Sequence, residues 1–377
     1  FGSRLDIEAR IMWISHGSPQ ALYCLVVTIH SFLQYALPVT GVVLRGRQSG
    51  ELEVQKNATG DELKRLHSCL TGKRIVFIGP STSKFDYIAL AYFAEYGRWP
   101  VESEVVTAYG TGPNPLYEWN VRNLVRAGGY LPPEVTAPKH QVGCNTAGDA
   151  DSPETFIRYT NYILNGHEVC DAHFKGHWVS ATDIYNSTEN RVYMNGATMI
   201  SYFQWFGDVV PPRGTFDISP MLRQPPAVVH PVCPVGQFPG KWAWSSPLVD
   251  FLNHVIRYAR PTHLVISAAF WPSHPENVQF WDSLAQAGKL AVSDSGGHVF
   301  WRTTPKRKDN PQFDPSSAVD QTRFWHNGWQ VFPAEQIVSQ LQGARSSHDT
   351  FYDATHLKPE FATGLVQNFV QNYVCPA

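Results

Sequence analysis

Long runs of like charge are missing from this chain of 377 residues, in which 30 Lys and Arg stand against 32 Asp and Glu for a formal net charge of −2. With no basic stripe to neutralise phosphates, nucleic-acid binding driven by counterion release is excluded. The six cysteines, Cys24, Cys69, Cys144, Cys170, Cys233 and Cys375, include no Cys-x-x-Cys pair, which argues against a zinc ribbon or another thiolate metal site. His-Glu-x-x-His is also absent. In His167-Glu168-Val169-Cys170-Asp171-Ala172-His173, Asp171 stands where the second zinc-protease histidine would be. His173 and His177 are four apart, but Gly176 disfavours a helix that would hold them on one face. Ordinary histidines in a loop are therefore expected, with a metal on His167, His173 and His177 as the alternative. No internal repeat is found, and only one stretch is long and apolar enough to span a bilayer.

That stretch is Ala21 to Leu44, interrupted by His30, Gln34 and Pro38 and followed by Arg45 and Arg47. It reads as a signal-anchor or uncleaved signal, against the alternative of a buried hydrophobic segment. The expected organisation is a leader over 1–20, the candidate membrane segment over 21–44, a polar stem over 45–68 and a folded domain over 69–377. A hydrophobic fraction of 43% with 13% aromatics supplies ample core. Two sequons, Asn57-Ala58-Thr59 and Asn186-Ser187-Thr188, fit the secretory pathway. If Cys24 lies in the membrane segment, five cysteines remain, enough for two disulfides and one free thiol whose pairing stays open.

The most informative stretch runs from Arg74 to Tyr87 (RIVFIGPSTSKFDY). A continuous apolar run, then Gly79-Pro80-Ser81, then apolar residues at helical spacing (Tyr87, Ile88, Ala91, Tyr92) predicts a strand, a tight turn and a helix. Such a turn presents Ser81 at the carboxyl end of a strand and the amide-rich end of a helix, a favoured place for a nucleophile. The plain alternative is a helix-capping serine. The helix should stop at Gly97. Val105 to Tyr109 reads as a strand ended by the Gly110–Pro115 loop, and Val192 to Phe206 as a strand or hairpin. Downstream, helix and strand alternate: Pro247–Tyr258, His263–Ala268, Val278–Ala287, His298–Thr303, Trp329–Phe332, Pro333–Leu341, and a last helix over Glu360–Tyr373. This order predicts an α/β fold with one parallel sheet between helices. Just before the last helix stands Asp353-Ala354-Thr355-His356.

Gly79-x-Ser81 after the first strand, with Asp353-x-x-His356 before the last helix, resembles the SGNH (GDSL-type) hydrolases. Within them it is most similar to the PC-esterase group of trichome-birefringence-like and related glycan O-acetyltransferases. His298-Val299-Phe300-Trp301-Arg302-Thr303 and Ile266-Ser267-Ala268-Ala269-Phe270-Trp271 are similar to two further blocks of that group. The resemblance implies a three-layer sandwich around a central parallel sheet with long Pro/Gly-rich insertions. It implies Ser81 as nucleophile, His356 as general base and Asp353 as the carboxylate that orients it. The oxyanion would be held by the Ser81 amide, an amide of the Gly110 loop, and Ser267 in place of the family's Asn. Three departures stand out: Pro80 replaces the family's Asp, Lys84 its Arg, and Ser267 with Ala269 its Asn and Gly. The implied function is transfer or hydrolysis of acetyl groups on a glycan in the Golgi or outside the cell, with no bound cofactor beyond an acetyl donor such as acetyl-CoA. A degenerate domain that only binds glycan is the alternative.

Overall fold

A computed structural model describes residues 59–100, 144–146, 159–173, 188–207, 212–214, 221–222, 244–268, 278–305, 321–343, 345–346, 350–351 and 355–377. All of them fall in one compact unit, Glu51–Ala377. The chain enters through helix α1 (Gly60–Leu70), which Thr59 caps by accepting from the Glu62 amide, and which buries Leu66 and Leu70. Residues 60–68, expected in a polar stem, thus belong to the folded body, because two leucines a helical turn apart give this charged segment an apolar edge.

Strand β1 (Arg74–Gly79) follows, and all six of its residues are buried. Successive side chains leave a strand on opposite faces, so Ile75 and Phe77 join one core while Val76 and Ile78 join another. Each such burial is worth roughly 1.5–3 kcal/mol. Helix α2 (Ser81–Tyr96) is buried on every side from Thr82 to Phe93 and ends at Gly97, which takes φ 66°. The other strands are β2 (Cys144–Thr146), β3 (Glu168–His173), β4 (Thr188–Asn195), β5 (Thr198–Gln204), β6 (Arg213–Gly214), β7 (Trp244–Ser245), β8 (His263–Ile266), β9 (His298–Arg302) and β10 (Gln330–Phe332). Among the helices, α3 starts at Leu248–Phe251 and runs through a π-turn, Leu252–Ile256, into Arg257–Ala259. After it come α4 (Val278–Ser293), α5 (Thr322–His326), α6 (Ala334–Gln342) and α7 (Pro359–Phe369), the last extended by a π-turn over Val370–Val374.

The main sheet has eight strands in the order β10-β9-β8-β1-β5-β4-β3-β2. From β10 to β5 every pairing is parallel, with β1 between β8 and β5. One core holds α1, α2, α6 and α7 against one face of the sheet, and the other holds α3, α4 and α5 against the opposite face. The fold is therefore α/β with a mostly parallel central sheet between helical layers.

It departs from a wholly parallel sheet at β4, which is antiparallel to both β3 and β5. Between Asn195 and Thr198 the chain reverses over two residues, with Gly196 at φ 57°, and a connection this short permits only antiparallel neighbours. The segment Glu168–His173, read from sequence as loop, is strand β3. Among the described residues no helix is long and apolar enough to cross a membrane. The expected membrane segment over 21–44 and the strand expected at Val105–Tyr109 lie outside the described residues. A disulfide joins Cys69 at the end of α1 to Cys375, and Cys170 is also disulfide-bonded.

His263 opens β8 fully enclosed, stacked on Phe300 with its Nδ1 at 2.9 Å from Thr262 Oγ1. Burial, aided by Lys73 and His298, pulls its pKa down to about 3. The unfolded chain then binds the extra proton between an ordinary histidine pKa and that value. The contribution is fully present above about pH 6.5 and is lost as pH falls toward 3, with a slope of up to about 1.4 kcal/mol per pH unit. Chemical denaturation of wild type and His263→Phe across this range should give a shallower acid loss for the variant; parallel curves would refute it.

Candidate active site

Ser81 sits where β1 meets α2. Pro80 is the N-cap residue of α2 and supplies no side-chain capping bond, and no acidic residue occupies the first helical turn. The helix start therefore keeps its positive partial charge for another oxygen. Instead of capping the helix, Ser81 Oγ lies 2.7 Å from His356 Nε2, a side chain 275 residues away in sequence. In the tautomer with its proton on Nδ1, the imidazole accepts a hydrogen bond from the Ser81 hydroxyl at Nε2.

His356 is carried by a closed loop. Phe351 bridges Leu357, the Lys358 amide donates to the Thr350 carbonyl at 2.9 Å, and Pro359 starts α7 at a position where its missing N–H costs nothing. The imidazole stands edge-on to the Phe85 ring, 5.4 Å between centroids, and Thr355 Oγ1 is 3.5 Å from Nδ1. Nε2 thus points at the serine while Nδ1 points back into the loop, the orientation a general base requires. Asp353, expected to orient that ring, lies outside the described residues, as does Gly110.

Ser267 follows β8 directly. Its amide donates to the Ile78 carbonyl, and its side chain is buried against Gly79. Its hydroxyl has no hydrogen-bond partner among the described residues. On the other flank of β1, the Trp205 amide donates to the Gly79 carbonyl at 3.0 Å, and buried Gly207 takes φ 88°.

Two buried ion pairs grip the first turns of α2. Lys84 Nζ lies 3.1 Å from Glu189 on β4, and Asp86 lies 2.6 Å from Arg302 at the end of β9, all four side chains nearly inaccessible to solvent. Glu189 also faces Arg191 at 3.6 Å, and Arg191 pairs with Glu168 at 2.8 Å. Tyr87 donates to Glu168 at 2.6 Å and lies under the Arg191 guanidinium. Burial raises the Asp86 carboxyl to about 6 against the opposing pull of Arg302. Lys84 meets a Glu189 carboxylate oxygen as a point charge, where an Arg would offer a fork. Sequence alone gives no sign of this network: Glu168 lies in a histidine- and acid-rich stretch, and Glu189 and Arg191 in the polar run Ser187-Thr188-Glu189-Asn190-Arg191, where charge ordinarily marks surface.

Of the three histidines weighed for metal, His167 is on the surface and pairs with Glu95 at 2.9 Å, His173 ends β3, and His177 lies outside the described residues. Among the described residues no group of three or more side chains is arranged to hold a metal ion. No family model, curated protein or solved structure matches the chain.

The closest packing in the site is at Gly79. A Cβ there would fall 2.5 Å from Ser83 Oγ and 3.0 Å from both Ser267 Cβ and the Ser267 carbonyl oxygen. Gly79→Ala should displace β8 from the serine turn and cost about 1–3 kcal/mol, read as a lower midpoint in urea. An unchanged midpoint would contradict the close approach.

Proposed function

We propose that this chain is an acyl-ester enzyme of the SGNH hydrolase type, most similar in its motifs to the PC-esterase group, acting on acyl, chiefly acetyl, groups of a carbohydrate. The observation that carries the reading is the hydrogen bond from Ser81 to His356 at the carboxyl end of the central strand. A capping serine has no use for an imidazole brought from the other end of the fold. Supporting it are the parallel sheet with helices on both faces, which an SGNH sandwich requires, and disulfide-bonded cysteines, which suit the Golgi or the cell exterior.

In this reading Ser81 Oγ attacks the acyl carbonyl carbon as His356 Nε2 takes the hydroxyl proton. The oxyanion of the tetrahedral intermediate is assigned to the Ser81 amide at the start of α2, with Ser267 Oγ as a second donor. A single such donor is typically worth about 2.7–4 kcal/mol. Collapse breaks the ester C–O bond, and imidazolium returns its proton to the departing oxygen. Water or a glycan hydroxyl, deprotonated by His356, then attacks the acyl-serine and frees Ser81. Asp353 takes the orienting role by resemblance. An acetyl donor such as acetyl-CoA would feed the transferase version, and the segment over 21–44 would tether the enzyme to its membrane.

One observation favours the second reading, a glycan-binding domain without turnover: Ser267 is short and buried where the family carries the longer Asn. A fluorophosphonate probe separates the two. Wild type should be labelled, Ser81→Ala not at all, and His356→Ala at least about a thousandfold more slowly. Equal labelling of wild type and Ser81→Ala would sink the nucleophile assignment, and a folded wild type that neither labels nor cleaves a generic acetyl ester would favour the binding domain.

A further inference from the structure

A narrow cavity is lined by sequence neighbours of both members of the serine–histidine pair. Its walls are Thr82, Phe85 and Asp86 from α2, Arg302 and Pro305 from the end of β9, and Thr355 and Leu357, the two neighbours of His356. Asp86 and Arg302 form the charged part of this floor. Arg302 Nε approaches Asp86 Oδ2 at 2.6 Å, Arg302 donates from a terminal nitrogen to Oδ1 at 3.4 Å, and neither side chain is more than 2% exposed. Phe85, another wall of the cavity, is the ring on which His356 stands edge-on. One wall of the cavity therefore belongs to the helix that starts at Ser81, and another to the loop that carries His356.

We infer that the Asp86–Arg302 ion pair is a positioning device for the general base, fixing the distance between α2 and the Thr355–Leu357 segment so that His356 Nε2 stays within hydrogen-bonding reach of Ser81. The inference deepens the acyl-serine reading and rests on its assignment of Ser81 and His356. Two charges taken out of water gain little net stability from each other, and an apolar pair of similar volume commonly packs as well or better. Burial outweighs Arg302 at Asp86, whose carboxyl rises rather than falls, so stability alone is a poor reason for the pair. Geometry is a better one. Asp86 is one and a half turns from Ser81 on the same helix, and Arg302 ends a strand two places from β1 in the sheet. Their contact fixes how α2 is turned about its axis above the strand ends. Asp86 and Arg302 touch no reacting atom; what they share with Phe85, Thr355 and Leu357 is the lining of one cavity, and the pair acts by holding α2 in place beside it.

The test uses Asp86→Leu combined with Arg302→Met, which keeps the floor filled without charge, and Arg302→Lys, which keeps the charge without the fork. Folding is checked by thermal melting, the imidazole nitrogens of His356 are read by 15N NMR, and fluorophosphonate labelling of Ser81 is timed. The double variant should melt as a folded protein while His356 loses the resonances of an Nδ1-protonated, Ser81-bonded ring and labelling slows at least tenfold. Arg302→Lys should fall between it and wild type. A folded double variant with wild-type His356 resonances would overturn the inference. So would failure of both variants to fold, because the pair would then be structural glue. If wild type itself resists the probe, the acyl-enzyme reading fails, and the NMR comparison still decides the positioning claim.

Discussion

The site depends on how the first turns of α2 are held over the sheet. β1 places Ser81 at a strand end, but a buried helix with apolar residues on every side has little in its packing to specify rotation about its axis. Lys84 and Asp86 supply that specification by reaching in opposite directions. One meets Glu189 on β4, the other Arg302 on β9, and each of those strands stands two places from β1. Ion pairs are directional where hydrophobic contact is not, so the two together fix a rotation that burial leaves open. Glu168 and Arg191 extend the Lys84 arm into β3, tying the antiparallel edge of the sheet to the same helix. The orientation of Ser81 toward His356, and the crowding of Ser83 and Ser267 around Gly79, follow from that fixed rotation.

Much of this was legible in the sequence, for identifiable physical reasons. A run of consecutive apolar residues closed by a glycine reads as a strand buried on both faces, and Ile75-Val76-Phe77-Ile78 before Gly79 carries that mark. The helical spacing after Ser81, the glycine at 97 and the strand–helix alternation from Pro247 onward are local signals, and the elements appear within a few residues of their expected bounds. Asp-x-x-His before the last helix pointed to His356, although no local pattern could say that its ring would reach Ser81. The antiparallel insertion at β4 escaped because pairing direction is decided by connection length and tertiary partners. Glu168, Glu189 and Arg191 escaped because charge ordinarily marks surface, and their partnerships with Lys84, Tyr87 and one another depend on tertiary packing.

The bond between Cys69 and Cys375 carries a consequence for the unfolded chain. It spans 306 residues, and Ser81 meets His356 across 275. Both members of the pair lie inside the loop that the bond closes. In the unfolded, oxidised chain the cross-link shortens the average separation of the two residues and lowers the entropy lost when they meet. Reduction would lengthen that search without touching either side chain, so the bond acts on the pair through the unfolded ensemble rather than through a contact.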